Sequence, residues 1–509
     1  MLGYLKRLLT TGAAYQFGDI LAKALALITL PLYTSHLPPE AYGAAETLLT
    51  AVILTSILLR AGVGEAFIRF YFDDADPARR ERIARTATAT VAWTTTIAAL
   101  AAVAFASQLS SLILNYHDPE LIYCAALGLW AFTNLEMAYA QLRVDERSRT
   151  YVLASGANVS MTVVFTIALV VFAGRGAAGL LLGNFGASAI VVLGLWWVLR
   201  SRFSLRVIPA DLRAMLRFGM PTVPADASVY ALQVVDRLYL FRSFSQAAAG
   251  QYAIAVKLAT VVFVAVRGFQ YAWPPLAYSI ESDEEAGSVY SLVTTYYVLA
   301  TGVVVCAVAL LSRWMVRLLA APKYFDAYRA LPWLALGWAL YGLFLVFVAI
   351  TGRARITSRN FPAAAVGLAV NVALILLLVP SSGAGLGIAG AGIALCGAYS
   401  AMLGMMYLFT RRLFRVGFEW GRLALMVIVF VAVAVSGELL LPSAGVLGLL
   451  ARIAWLGLVP GLLLLARFPH PHEIDGVRSL ITDGHRRVAA FRAGHGEVEA
   501  YAEDPLRDI

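Results

Sequence analysis

Several ionisable side chains of this sequence fall inside stretches that are otherwise apolar. Asp19 and Lys23 lie one helical turn apart within residues 11–33, so they share a face. Glu46, Arg60 and Glu65 fall within 44–67, Glu136 within 119–141, Asp226, Asp236 and Arg237 within 217–241, and Lys257 and Arg267 within 250–272. Glu46 and Arg60, 14 residues apart, share a helical face at different depths, and Asp226, Gln233 and Arg237 line up at helical spacing. A charge at the centre of a helix in hydrocarbon costs roughly 2.5–3.5 kcal/mol on insertion scales, so such groups face a bundle interior or water. Lys23, Arg60, Arg237, Lys257 and Arg267 are therefore candidates to bind an anionic substrate. Asp19, Glu46, Asp226 and Asp236 are candidates to hold a proton or sodium ion.

Each of these groups has a plainer structural alternative. Asp19 and Lys23 could neutralise one another, and Arg60 could pair with Glu65. Arg237 lies near one end of its stretch, where its long stem could carry the guanidinium to lipid headgroups. Arg267 lies near the other end of its stretch and could be interfacial. Lys257 sits about a third of the way into its span and could pair with Asp226 or Asp236. Trp93, Trp273 and Trp314 read as interfacial anchors.

The elements that must position these groups are transmembrane helices. The chain has 509 residues, is 60% hydrophobic and only 14% charged, against about 25% charged in soluble chains. The apolar stretches are continuous and about 20 residues long, which fits helices rather than the alternating strands of a barrel. Fourteen spans are expected, at 11–33, 44–67, 86–107, 119–141, 151–173, 177–199, 217–241, 250–272, 289–311, 330–351, 362–380, 388–410, 422–440 and 446–467. The fold class is thus an all-α polytopic membrane protein. The ninth to fourteenth spans carry almost no charge in their central parts. Residues 468–509 read as a polar tail, and the start reads as a retained first helix rather than a cleavable signal peptide.

Basic residues cluster in alternate loops: Arg79–Arg85, Arg143–Arg149, Arg200–Arg217, Arg353–Arg359 and Arg411–Arg422. The opposite set is sparse: Arg175, Arg242 and a group in the 312–329 loop (Arg313, Arg317, Lys323 and Arg329), with no Lys or Arg in the loops near 108–118, 381–387 and 441–445. The positive-inside rule then places the dense set, and both termini, in the cytoplasm. This distribution accounts for the net charge of +9 without a nucleic-acid partner.

The sequence also matches itself at an offset of 207 residues. Lys6 falls on Arg213, Leu9 on Leu216, Gly12 on Gly219, Asp19 on Asp226 and Gly43 on Gly250. With six spans before the second copy, this is a parallel repeat about an axis along the membrane normal. The expected division is an N-terminal six-helix lobe (1–210), a C-terminal six-helix lobe (211–415), two additional helices (416–467) and the tail (468–509). Two such lobes imply a cavity between them and alternating access by rocking.

Three stretches resemble a known family. They are LITLPLYTSHLPPEAYGAAETLL at 27–49, VVDRLYLFRSFSQAAAGQYAIAVKLAT at 234–260 and YAWPPLAYS at 271–279. Together with the span count they are similar to the oligosaccharide or polysaccharide (Wzx-type) flippases of the MATE/MOP exporter superfamily. One departure is the loop 242–249, RSFSQAAA, where the family often has a Leu-Gly turn. The resemblance implies a V-shaped pair of six-helix lobes and a substrate linked to polyprenyl pyrophosphate, of the undecaprenyl type. The cations would face the pyrophosphate, and the polyprenyl tail would stay among the membrane lipids.

Other classes find less support. There is no Walker loop, and four of the six histidines (His470, His472, His485 and His495) lie in the tail, so neither ATP nor a resident metal is expected. Cys124, Cys306 and Cys396 are far apart within apolar blocks and suggest no disulfide or metal site. No cofactor and no enzymatic activity are expected. A cation-coupled multidrug exporter or a lipid II flippase of the same superfamily remains an alternative. A membrane glycosyl polymerase or ligase would need a larger extramembrane loop than 312–329.

Overall fold

The structure is a computed structural model that describes residues 24–73, 76–354, 356, 359–412, 414–466 and 468. Asp19, Lys23, Arg355, most of the expected first span and residues 469–509 lie outside these residues. Every described element is helical. The first half comprises α1 (Leu30–His36), α2 (Pro39–Arg60), α3 (Val63–Asp73), α4 (Pro77–Ala104), α5 (Ala106–Leu114), α6 (Pro119–Val144), α7 (Ser148–Ile167, continued by a wider turn to Phe172) and α8 (Gly176–Val198). The second half comprises α9 (Pro209–Gly219), α10 (Val223–Tyr239), α11 (Gln246–Ser279), α12 (Asp283–Leu319), α13 (Leu331–Arg353), α14 (Asn360–Leu378) and α15 (Gly387–Thr410). The chain then adds α16 (Trp420–Leu440), α17 (Gly445–Leu456) and α18 (Leu458–Leu465).

Twelve helices among the described residues are long and apolar enough to cross a membrane. They match the expected second to sixth and eighth to fourteenth spans. The expected seventh is helical as α10, but its 17 residues carry Asp226, Asp236 and Arg237 and are too short and polar for that set.

Two expected boundaries are corrected by local backbone chemistry. The span expected at 44–67 ends at Arg60, because Ala61 (φ 48°) and Gly62 (φ 72°) turn left-handed. Glu65 therefore belongs to the short α3 rather than to the membrane-crossing α2. The stretch expected at 217–241 breaks at Met220–Thr222, where Pro221 and Pro224 interrupt the helix, so Asp226 falls in the first turn of α10.

Helix starts follow capping rules. The Ser245 hydroxyl accepts from the Ala248 N–H to begin α11, and Ser282 accepts from Glu285 to begin α12. Asp283, Glu284 and Glu285 crowd the first turn of α12, where the helix dipole favours negative charge. At 37 residues, α12 is about 55 Å long, well beyond roughly 30 Å of hydrocarbon, so it must tilt or project. Arg353 ties down its junction with α11 by donating to the Ile280 carbonyl (2.7 Å), the Glu281 carbonyl (3.0 Å) and Asp283 Oδ1 (2.8 Å).

Helices α2, α4, α6, α7 and α8 pack as one bundle, and α10–α15 as a second. The C-terminal helices dock on α12. Helix α2 of the first bundle lies against α10 and α11 of the second, and α9 packs on α3 and α4. The arginine-rich loops gather at one end of the molecule, called here the basic end. At the opposite end, the chain around His36–Pro39 meets the Pro322–Arg329 turn.

Candidate functional site

The seam between the bundles is tight where α2 crosses α11. A Cβ on Gly43 would come 2.6 Å from the Gln246 carbonyl and 2.8 Å from the Gly250 nitrogen, and one on Gly250 would strike the Pro39 carbonyl. Only glycine admits this approach of two backbones. The close crossing brings three charges together on the next turns.

Glu46, one turn beyond Tyr42 on α2, is 4% exposed. Its Oε1 lies 2.6 Å from Lys257 Nζ of α11, and its Oε2 lies 3.4 Å from Arg237 Nη1 of α10. Arg237 Nη1 also donates to Thr50 Oγ1 at 2.7 Å. The Lys257 ammonium sits 5.0 Å above the Tyr42 ring, a cation–π geometry. One carboxylate thus answers two cations, and the cluster carries one net positive charge. Glu46 is the eighth residue of α2, about 11 Å from its start, so the cluster lies toward the end opposite the basic one. The arrangement can hold an anion, and removing Glu46 would leave two cations to be answered.

This corrects two sequence readings. Lys257 pairs with Glu46 rather than with Asp226 or Asp236, because α11 faces α2 across the seam. Arg237 turns inward to Glu46 and Thr50 instead of reaching headgroups. Arg60 makes no ion pair with Glu65 among the described residues, and its Nε is buried without a hydrogen-bond partner there. Arg267 donates to Gln270 (3.1 Å) and lies 4.8 Å from the Phe263 ring centroid. Asp226 is exposed in the first turn of α10 and does not join the cluster. Glu136 is half-buried on α6. Trp273 is 2% exposed, packed between Phe269 and Tyr290, and is no interfacial anchor.

A second buried carboxylate stands one residue before Arg237. Asp236 is 1% exposed, and its Oδ2 accepts from the Tyr252 hydroxyl at 2.6 Å. Its Oδ1 has no hydrogen-bond partner among the described residues, and neither amide atom of the buried Asn371 on α14 has one. A buried polar atom without a partner is costly, so Asp236 and Asn371 mark a second polar spot within this bundle.

The end nearest Glu46 is latched by backbone contacts. The Tyr324 hydroxyl donates to the Leu37 carbonyl (3.0 Å), the Ala321 N–H to Thr34 Oγ1 (3.0 Å) and Lys323 Nζ to the Ser35 carbonyl (3.3 Å). Tyr324 also meets Tyr42 edge to face at 5.8 Å. Burial pushes the Tyr324 hydroxyl well above the ordinary phenol range, so it remains a donor.

Residues that sequence reasoning left out include Tyr42, Thr50, Tyr252, Asn371 and Arg452. Tyr42 precedes Gly43 and Tyr252 follows Gly250 by two in the stretches 27–49 and 234–260 that resemble the family, which is the signal that could have found them. Arg452 on α17 is 1% exposed and pairs with Glu438 at 2.8 Å, far from the Glu46 cluster in the fold.

This architecture, with apolar helices in two bundles and a charged seam, is that of a multi-pass membrane protein, and its fold matches those of solved MATE/MOP-superfamily transporters. A multidrug resistance MATE family transporter of the MOP superfamily, solved in an inward-facing conformation, superposes with a TM-score of 0.62 at 17% identity, covering 81% of this chain and 96% of that one. Lipid II flippase MurJ in an inward closed conformation gives 0.63 at 12% identity, covering 90% and 98%. The chain belongs to the polysaccharide biosynthesis protein family, whose sequence profile matches residues 9–281. It is also 22% identical over 282 residues to Lsg locus protein 1 of Haemophilus influenzae, a match that spans 52% of this chain and 64% of that relative's length.

Proposed function

We propose that the protein is a flippase. It would carry polyprenyl-pyrophosphate-linked oligosaccharide from the cytoplasmic to the periplasmic leaflet of a bacterial inner membrane, for surface polysaccharide synthesis. The observation that carries this reading is the net-positive Glu46–Arg237–Lys257 cluster, buried between two bundles of a polysaccharide-biosynthesis chain. A pyrophosphate crossing bare hydrocarbon would face a desolvation cost far above thermal energy. Paired cations inside a protein seam lower that cost while the polyprenyl chain stays in lipid. A drug exporter would be better served by an acidic pocket, whereas here the seam carboxylate is already matched by two cations.

In this reading the lobes are residues 1–210 and 211–415, with 416–467 as two added helices and 468–509 as a tail. The basic end and both termini face the cytoplasm by the positive-inside rule. Lys23, Arg60 and Arg267 would line the substrate's path with Arg237 and Lys257. Asp236, with Tyr252 and Asn371, would take up the coupling proton or sodium ion, since Asp236 Oδ1 and the Asn371 amide oxygen are orphaned oxygen ligands. Asp19, Glu46 and Asp226 are further carboxylates for this role.

Deletion followed by lipid extraction tests the proposal. Undecaprenyl-linked oligosaccharide should accumulate on the inner leaflet and a surface polysaccharide should be lost. Normal surface polysaccharide in the deletion strain would refute it.

A further inference from the structure

We propose that Glu46 is a resident stand-in for the substrate's pyrophosphate, and that its displacement both selects doubly charged ligands and frees the seam. This rests on the flippase reading above. Glu46 belongs to the first bundle, and Arg237 and Lys257 belong to the second. The carboxylate is thus an electrostatic tie across the moving seam as well as a counter-charge. It brings one negative charge to two positive ones, so the pair of cations is under-compensated at rest. A pyrophosphate diester brings two negative charges and neutralises both. A phosphodiester brings one and is no better matched than the carboxylate already there. The site therefore favours pyrophosphate by charge count, without reading the sugar.

The exchange also has a direction. While Glu46 holds Lys257 at 2.6 Å, α2 is drawn against α11 just beside the Gly43–Gly250 crossing. When pyrophosphate takes the two cations, that tie is gone, and neutral contacts such as Tyr324 to Leu37 and Tyr324 to Tyr42 are left to keep this end shut. After opening, Glu46 can return to the cations and compete the product off. Coupling energies of close charge pairs support effects of roughly tenfold or more on ligand affinity.

The test uses the purified full chain and two short synthetic ligands, farnesyl diphospho-N-acetylglucosamine and farnesyl phospho-N-acetylglucosamine. Wild type should bind the pyrophosphate ligand in preference to the monophosphate one. Binding should raise maleimide labelling of Leu37→Cys, a buried position at the latched end. Glu46→Gln should bind both ligands at least about tenfold more tightly, with the preference for pyrophosphate kept by the two remaining cations, label at Leu37→Cys without ligand, and transport more slowly. Glu46→Asp, which keeps the charge, should keep both ligands near their wild-type affinities and keep the end closed. Weaker or unchanged binding by Glu46→Gln, while wild type still binds the pyrophosphate ligand, would refute the stand-in role and leave the flippase reading standing. No binding of either ligand by wild type would remove both. If Glu46→Gln does not fold, Glu46→Asp alone decides: monophosphate binding about tenfold tighter than wild type, despite the kept charge, would overturn the proposal.

Discussion

Gly43 and Gly250 face each other across the seam, and they are also partners in the 207-residue internal match. A residue and its repeat mate meet in this way when both lie beside the axis that relates the two halves. The meeting of these two glycines is what the proposed repeat predicts of a pair beside its axis, and the Glu46 cluster is built on the next turn of α2.

Gly250→Ala should push this crossing apart. Its Cβ would run into the Pro39 carbonyl, a backbone atom that cannot swing aside. The expected outcome is a population open at the Tyr324 end, read as increased maleimide labelling of Leu37→Cys. Unchanged labelling would mean that the helices slip past the added methyl.

Lys257→Ala and Arg237→Ala should each abolish or severely slow transport. Each leaves Glu46 with a single cation and removes one of two counter-charges for an anion. Truncating one partner of a buried charge pair costs about 2–5 kcal/mol, which corresponds to a loss of at least tenfold. Complementation of the deletion strain provides the measurement. Normal surface polysaccharide in both variants would exclude these side chains from the substrate's path.

Tyr252→Phe removes the one hydrogen bond that Asp236 receives from a side-chain hydroxyl, at 2.6 Å. The expected result is an altered dependence of transport on sodium or on a proton gradient, with the protein still folded. Asp236→Asn should abolish that dependence altogether. Transport by vesicles with and without each gradient distinguishes the two ions. Identical ion dependence in both variants and wild type would rule this corner out as a coupling site.

Arg452→Ala should be among the more destabilising single changes. Its guanidinium donates to the Leu310 carbonyl (3.0 Å), to the Pro442 carbonyl (3.1 Å) and to Glu438 Oε2 (2.8 Å). Breaking a buried pair costs about 3–5 kcal/mol, although the half-exposed Glu438 and its second partner Arg313 reduce the charge left behind. Thermal melting in detergent should show a clear drop with transport chemistry otherwise intact. Arg452→Met, which keeps the stem, should fall between.

Much of the fold is legible in the sequence because a membrane-spanning helix declares itself locally, by a run of apolar residues. Where a span carries its own charges or breaks, the signal fails. The stretch 217–241 announces α10 but hides the break at Met220–Thr222, and the turn at Ala61–Gly62 hides inside an apolar run until its left-handed backbone is seen. The cluster was half legible. Glu46, Arg237 and Lys257 stand out as charges in apolar helices, but their pairing depends on which helix faces α2, a long-range fact that spacing cannot supply. Trp273 shows the same limit, since its place near a helix end suits an interfacial anchor and only the packing of Phe269 and Tyr290 around it shows burial. Arg452 and Glu438 were open to view within or beside apolar spans, and an arginine seven residues into such a span is itself the sign of a buried partner.

The lodging of Arg452 bears on how the protein is made. Three of its four acceptors lie in its own hairpin and one, the Leu310 carbonyl, lies on α12. Released into lipid by itself, the hairpin would lack the Leu310 carbonyl to which the Arg452 guanidinium donates. Synthesis from the N-terminus delivers α12 first, so the last two membrane passes are threaded against a waiting acceptor. Expressed as a separate fragment, the same hairpin should linger at the insertion machinery until the rest of the chain is supplied.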